Sequence, residues 1–87
     1  RPRDPLEAFP LKALRLVGTM ALPDGSRQAF VEAPDGLVYQ VGAGTHLGKH
    51  RGRVEEIGTN EVVLRELVSD GQGNWEARES TLSMRSE

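Results

Sequence analysis

The sequence of 87 residues contains no cysteine, few aromatic residues (5%) and no long apolar run. Without cysteine it has no disulfide and no thiolate ligand for a structural zinc; this fits a cytoplasmic and a periplasmic setting equally. The apolar pieces, such as Val62-Val63-Leu64, fall far short of the roughly 18 residues that read as a membrane span. Direct membrane insertion is therefore not expected. The aromatic residues are Phe9, Phe30, Tyr39 and Trp75, too scattered to form a stacking platform for single-stranded nucleic acid. Cationic excess is missing too, because the net charge is −2. Size excludes more. A chain this short buries only about 60–65% of the surface its unfolded form exposes, so a deep, walled substrate pocket is not expected. The chain opens at Arg1 without a methionine, as a processed or excised chain would.

What is present is turn chemistry. Pro2, Pro5 and Pro10 make residues 1–12 an extended lead-in, with room for one helical turn from Asp4 to Glu7. Leu6, Phe9 and Leu11 are its apolar anchors against a sheet. From Ala13 onward, short β-prone runs alternate with Pro23-Asp24-Gly25, Pro34-Asp35-Gly36, Gly58-Thr59-Asn60 and Asp70-Gly71-Gln72-Gly73-Asn74. The expected strands are Leu14 to Met20, Gln28 to Ala33, Leu37 to Val41, Arg53 to Ile57, Glu61 to Val68 and Trp75 to Leu82. Strict alternation would place Leu14, Leu16 and Met20 on one face, and group Leu37, Tyr39 and Val41. The expected fold is all-β, a small antiparallel sandwich or barrel over residues 13–83, followed by a frayed tail at 84–87.

Candidate chemistry is sparse. His46 and His50 are four apart but straddle Gly48 with no helical pattern and no third ligand, so a solvated loop is preferred to a metal site. Gly44-Thr45-His46-Leu47-Gly48-Lys49-His50 imitates a phosphate loop, one residue short and with His50 where Ser or Thr would hold magnesium. Adjacent Glu55 and Glu56 should point to opposite faces of a strand and cannot act as an acid–base pair. Ser26, Ser69, Ser80 and Ser83 lack a neighbouring histidine. No catalytic set, cofactor site or metal site is expected.

Partner contact is the better prospect. The first strand carries Arg15, Val17 and Thr19 on its outer side, and Gly18 allows close approach by another chain. Lys49 and Arg51, from the basic cluster that includes His50 and Arg53, would add electrostatic support. Trp75 is expected in core or edge packing rather than as an interface anchor. Residues 1–53 carry a charge of +3 and residues 54–87 carry −5, a split expected to fall on opposite faces of the fold.

Asp4-Pro5-Leu6-Glu7 and Leu14-Arg15-Leu16-Val17-Gly18-Thr19 resemble the start of the globular domain of the PilP family of type IV pilus inner-membrane lipoproteins. The resemblance runs on through Val38-Tyr39-Gln40-Val41, Gly44, Leu47-Gly48, Gly52-Arg53-Val54, Ile57, Val63-Leu64-Arg65-Glu66, Asp70-Gly71 and Trp75. It departs in the more apolar Thr19-Met20-Ala21-Leu22. The resemblance implies a β-sandwich of six or seven strands, similar also to the homology region of the type II secretion protein GspC, with no enzymatic activity. It implies a lipobox and flexible tether upstream, and a periplasmic role in pilus biogenesis that couples the inner-membrane PilN–PilO complex to the secretin PilQ. The tether would engage PilN–PilO, and the globular domain would meet the N-terminal periplasmic domain of the secretin. Three readings follow: that adaptor, monomeric in isolation; a GspC-like component of a type II secretion system; and, disfavoured by charge, a small barrel that binds single-stranded nucleic acid.

Overall fold

The structure is a computed structural model that describes residues 2–84. The frayed tail expected at 84–87 lies, apart from Met84, outside the described residues. Two short 3-10 turns, Pro5–Ala8 and Leu11–Ala13, precede seven strands. These are β1 (Arg15–Ala21), β2 (Arg27–Glu32), β3 (Val38–Val41), β4 (His46–Leu47), β5 (Gly52–Ile57), β6 (Glu61–Ser69) and β7 (Trp75–Ser83). They form a three-stranded sheet, β1-β2-β3, and a four-stranded sheet, β4-β5-β6-β7, all pairs antiparallel. The fold is thus the β-sandwich anticipated from the sequence.

The turns follow from their residues. In the β1–β2 turn the Asp24 carboxylate accepts the Ser26 amide at 2.9 Å and the Ser26 hydroxyl at 2.6 Å, while Gly25 takes φ +92°. In the β2–β3 turn Asp35 accepts the Leu37 amide and the Tyr39 hydroxyl, and Gly36 takes φ +84°. Asp70 accepts the amides of Gln72 and Asn74 in the β6–β7 loop. An aspartate bonded to backbone N–H groups is stabilised in its charged form. Hydrogen bonds from Ser26 hold the Asp24 carboxyl below its usual 3.8, and bonds from Gln72 and Asn74 do the same for Asp70. A folded pKa below the unfolded one gives stability that is complete above the unfolded value and lost as pH falls through the folded value. Replacing both Asp24 and Asp70 with Asn should therefore flatten the fall of the thermal midpoint below about pH 4. A pH series of melting curves, wild type against double variant, measures this; identical acid limbs would refute it.

Inward positions pack a thin core, with Leu14, Leu16, Ala29 and Val31 of the first half facing Leu47, Val54, Val62 and Leu64 of the second. Leu6, from the lead-in, is only 1% exposed and belongs to the same cluster. Two β-bulges depart from strict alternation. Val17 is the extra residue between Leu16, opposite Val31, and Gly18, opposite Phe30. Downstream of it the faces exchange: Thr19 pairs with buried Ala29 and is half-buried, whereas Met20 is 41% exposed instead of sharing the inner face of Leu16. Glu55 is the second extra residue, between Val54 and Glu56. Glu55 and Glu56 are both exposed as a result, and do not divide between inside and outside. Leu37 falls in the turn before β3 and is 59% exposed, apart from buried Val41.

Candidate partner-binding surface

A four-strand and a three-strand sheet leave four edges: β1 and β3 on one, β4 and β7 on the other. An unpaired edge is a template for another chain unless something covers it. The lead-in covers β4. The Asp4 carboxylate accepts the His46 amide at 2.8 Å, and the Leu6 carbonyl accepts the Gly48 amide at 3.1 Å. Glu7 reaches back to accept the Asp4 amide at 2.8 Å and completes a capping box. His46 therefore lies in a short strand, its imidazole 3.5 Å from Asp4 and largely shielded, rather than in a solvated loop. Among the described residues no three acidic or histidine side chains converge as a metal site would require.

The edges of β1 and β7 approach one another on the far side of the sandwich. Between them runs a cleft of about 790 Å³. Pro10, Leu11 and Leu14 from the lead-in and Leu82 and Met84 from the end of β7 are its apolar lining, and Lys12, Arg15, His50 and Arg78 give it cationic and imidazole groups. Glu66 also lines it, with its side chain only 2% exposed. The Glu66 carboxylate accepts bonds from Arg78 at 3.1 Å and from the Ser80 hydroxyl at 2.5 Å, so its charge is paired within the fold. Sequence reasoning passed over Glu66. Its signal was parity: it continues the inward series Val62, Leu64 of β6, and its register partner on β7 is Arg78.

The five residues expected at a partner surface do not form one group. Arg15 is exposed, lines the cleft and lies 3.6 Å from Glu32. Val17 is 38% exposed on the β1 edge strand, at the bulge. Thr19 turns inward and donates its hydroxyl to the Thr59 carbonyl at 2.9 Å. Lys49 is exposed in the β4–β5 turn. Arg51, in the same turn, adopts φ +56° and places its guanidinium 5.8 Å from the centre of the Trp75 ring. Trp75 is 63% exposed at the start of edge strand β7, so it is not a core residue. The charge split does not map onto opposite faces either. Arg53 from the basic half sits directly opposite Arg65 in the four-stranded sheet, which also carries Glu61, Glu76 and Glu79 of the acidic half.

Comparison with known proteins gives one consistent result. The family model "Pilus assembly protein, PilP" matches residues 1–84. The type IV pilus inner membrane component PilP of Pseudomonas aeruginosa is 34% identical over 80 residues, covering 92% of this chain and 45% of that protein. The chain thus spans less than half the length of that relative. A solved domain of the type IV pilus biogenesis lipoprotein PilP from Pseudomonas aeruginosa superposes with a TM-score of 0.82 at 33% identity, covering 97% of this chain and 94% of that one. A domain of the Neisseria meningitidis PilP pilot protein gives 0.76 at 40% identity, with 99% and 74% covered.

Proposed function

The chain belongs to the PilP family of pilus assembly proteins, and on that premise we propose that it is a non-catalytic periplasmic adaptor of the type IV pilus machinery. Its folded domain meets the N-terminal periplasmic domain of the secretin PilQ, and the segment upstream of this domain engages PilN–PilO. The observation that carries the reading is the open cleft between the free edges of β1 and β7. It is lined by apolar residues from the lead-in and from the end of β7, together with the cations Lys12, Arg15 and Arg78. Such a site suits an extended segment that adds to a sheet edge, with backbone pairing for affinity and side-chain pockets for selection.

Titration of the domain with the N-terminal periplasmic domains of PilQ, followed by NMR shift mapping, tests this. Shifts should gather on β1, the lead-in residues 10–14 and β7. No shifts near millimolar protein would sink the proposal, and tighter binding to a type II secretion secretin would transfer the domain to that machinery. Val17→Asp should weaken secretin binding about tenfold or more, as a buried interface charge does. Because Val17 is exposed at a bulge, its thermal midpoint should stay within about 2 °C of wild type. A large loss of stability would show instead that Val17 supports the core.

A further inference from the structure

The outer face of the four-stranded sheet carries a second, unrelated surface. Residues with odd numbers on β6 and β7 point outward, because their even neighbours Val62, Leu64 and Glu66 are buried. Leu67 stands directly opposite Ala77 there, and Ser69 opposite Trp75. Arg53 stands opposite Arg65. A small apolar centre, Leu67 and Ala77, is thus flanked at one end by Trp75 with Arg51 against its ring and at the other by two guanidinium groups.

Three features of this face run against what folding alone would favour. Like charges directly opposite in a sheet are destabilising, and only Arg65 of the pair is answered, by Glu55 at 3.3 Å and by Glu79, its register partner on β7. Among the described residues Arg53 has no carboxylate partner. Arg51 holds a left-handed backbone, at φ +56°, that is costly for a side-chain-bearing residue. The one tryptophan spends its apolar surface in solvent, 63% exposed. The unanswered Arg53 guanidinium and the exposed indole are unfavourable in the free domain and become favourable if an anionic, partly apolar group covers the face, while the Arg51 backbone holds its guanidinium against the Trp75 ring.

We propose that this face docks an acidic segment of a protein partner, with a carboxylate received by Arg53 beside Arg65 and an apolar side chain laid against Trp75 and Leu67. Positions 65 and 69, which mark the two ends, are about 13 Å apart along β6. An extended segment therefore reaches both ends with its acidic and apolar residues about four positions apart. Guanidinium pairs are suited to carboxylates because their planar forks bind both oxygens. A tryptophan in a patch with a cationic rim is a common interface anchor. This surface is separate from the cleft between β1 and β7, and either can fail without the other.

The probe is a capped dodecapeptide in which glutamate and leucine stand four positions apart on a serine background, titrated into the labelled domain and read by NMR. A peptide with lysine for glutamate and vesicles of phosphatidylglycerol serve as comparison arms. Shifts from the acidic peptide should gather on Arg51, Arg53, Arg65, Leu67, Ala77 and the Trp75 indole, and weaken as salt rises. Arg53→Glu should lower affinity at least tenfold yet keep or raise the thermal midpoint, since it converts a like-charge pair into an attractive one. Trp75→Ala should lower affinity severalfold, while Val17→Asp should leave it unchanged. The proposal is overturned by no response at millimolar peptide, by an equal response to the lysine peptide, by shifts confined to the cleft, or by binding to vesicles alone.

Discussion

Leu6→Ala is expected to lower the thermal midpoint by at least about 10 °C. Its side chain is 1% exposed and joins the core from the 3-10 turn Pro5–Ala8. A leucine truncated to alanine in a packed interior costs about 2–5 kcal/mol, and the upper part applies where the site cannot collapse. Collapse is resisted here on both flanks. The Asp4 carboxylate and the Leu6 carbonyl bind the β4 segment, and Glu7 locks the turn onto Asp4. A domain of this size has only about 4–13 kcal/mol in total, and each kcal/mol moves its midpoint by about 4–8 °C. Ala8→Ser, at an exposed position in the same turn, is the matched control and should shift it by less than about 2 °C. Equal melting curves for Leu6→Ala and the control would mean that the lead-in is mere tether and the core closes without it.

The elements easiest to read in the sequence were those fixed by local chemistry. Asp24-Gly25, Asp35-Gly36 and Asp70-Gly71 specify their turns through aspartate hydrogen bonds and left-handed glycines, and these bonds are present. Strand positions followed because the turns bound them. What stayed illegible was set by single inserted residues and by long-range contact. A bulge leaves composition unchanged and reverses parity, which is why Thr19 turned inward, Met20 outward, and Glu55 and Glu56 both reached solvent. β4 is two residues long, too short to produce a pattern, and exists because β5 and the lead-in satisfy it from either side. Trp75 could not be placed by hydrophobicity. It takes an outward register position opposite Ser69, on the sheet face turned away from the three-stranded sheet.

The cleft lies on the open side between β1 and β7, and the arginine–tryptophan face lies on the outer surface of the four-stranded sheet. Occupation of one leaves the other accessible. The basic residues divide accordingly: Lys12 and Arg15 line the cleft, whereas Arg51 and Arg53 lie at the outer face. One sequence cluster, Lys49 to Arg53, is thus shared between two surfaces by the turn that it forms. His50 lines the cleft, and its carbonyl also accepts the Leu67 amide at 2.9 Å. This single turn therefore ties both surfaces to the same backbone.

The glycines at 18 and 52 should respond to alanine in opposite directions. At Gly52 an added Cβ would stand 2.8 Å from the Leu47 carbonyl oxygen and 3.3 Å from Cγ of Glu66. The oxygen belongs to backbone in β4, which the lead-in holds from its other side, so it cannot retreat without breaking the Asp4–His46 and Leu6–Gly48 bonds. Overpacking of a close interior contact costs about 1–3 kcal/mol, and more where backbone must move. Gly52→Ala should therefore lose about 3 kcal/mol, and hydrogen exchange should show β4 opening before the β6–β7 hairpin. At Gly18 an added Cβ meets nothing within 4 Å. Removing glycine's conformational freedom there should stabilise the strand by up to about 1 kcal/mol. If Gly18→Ala were the more damaging of the two, the close approach that the sequence suggested at β1 would have to lie within this chain rather than with a partner.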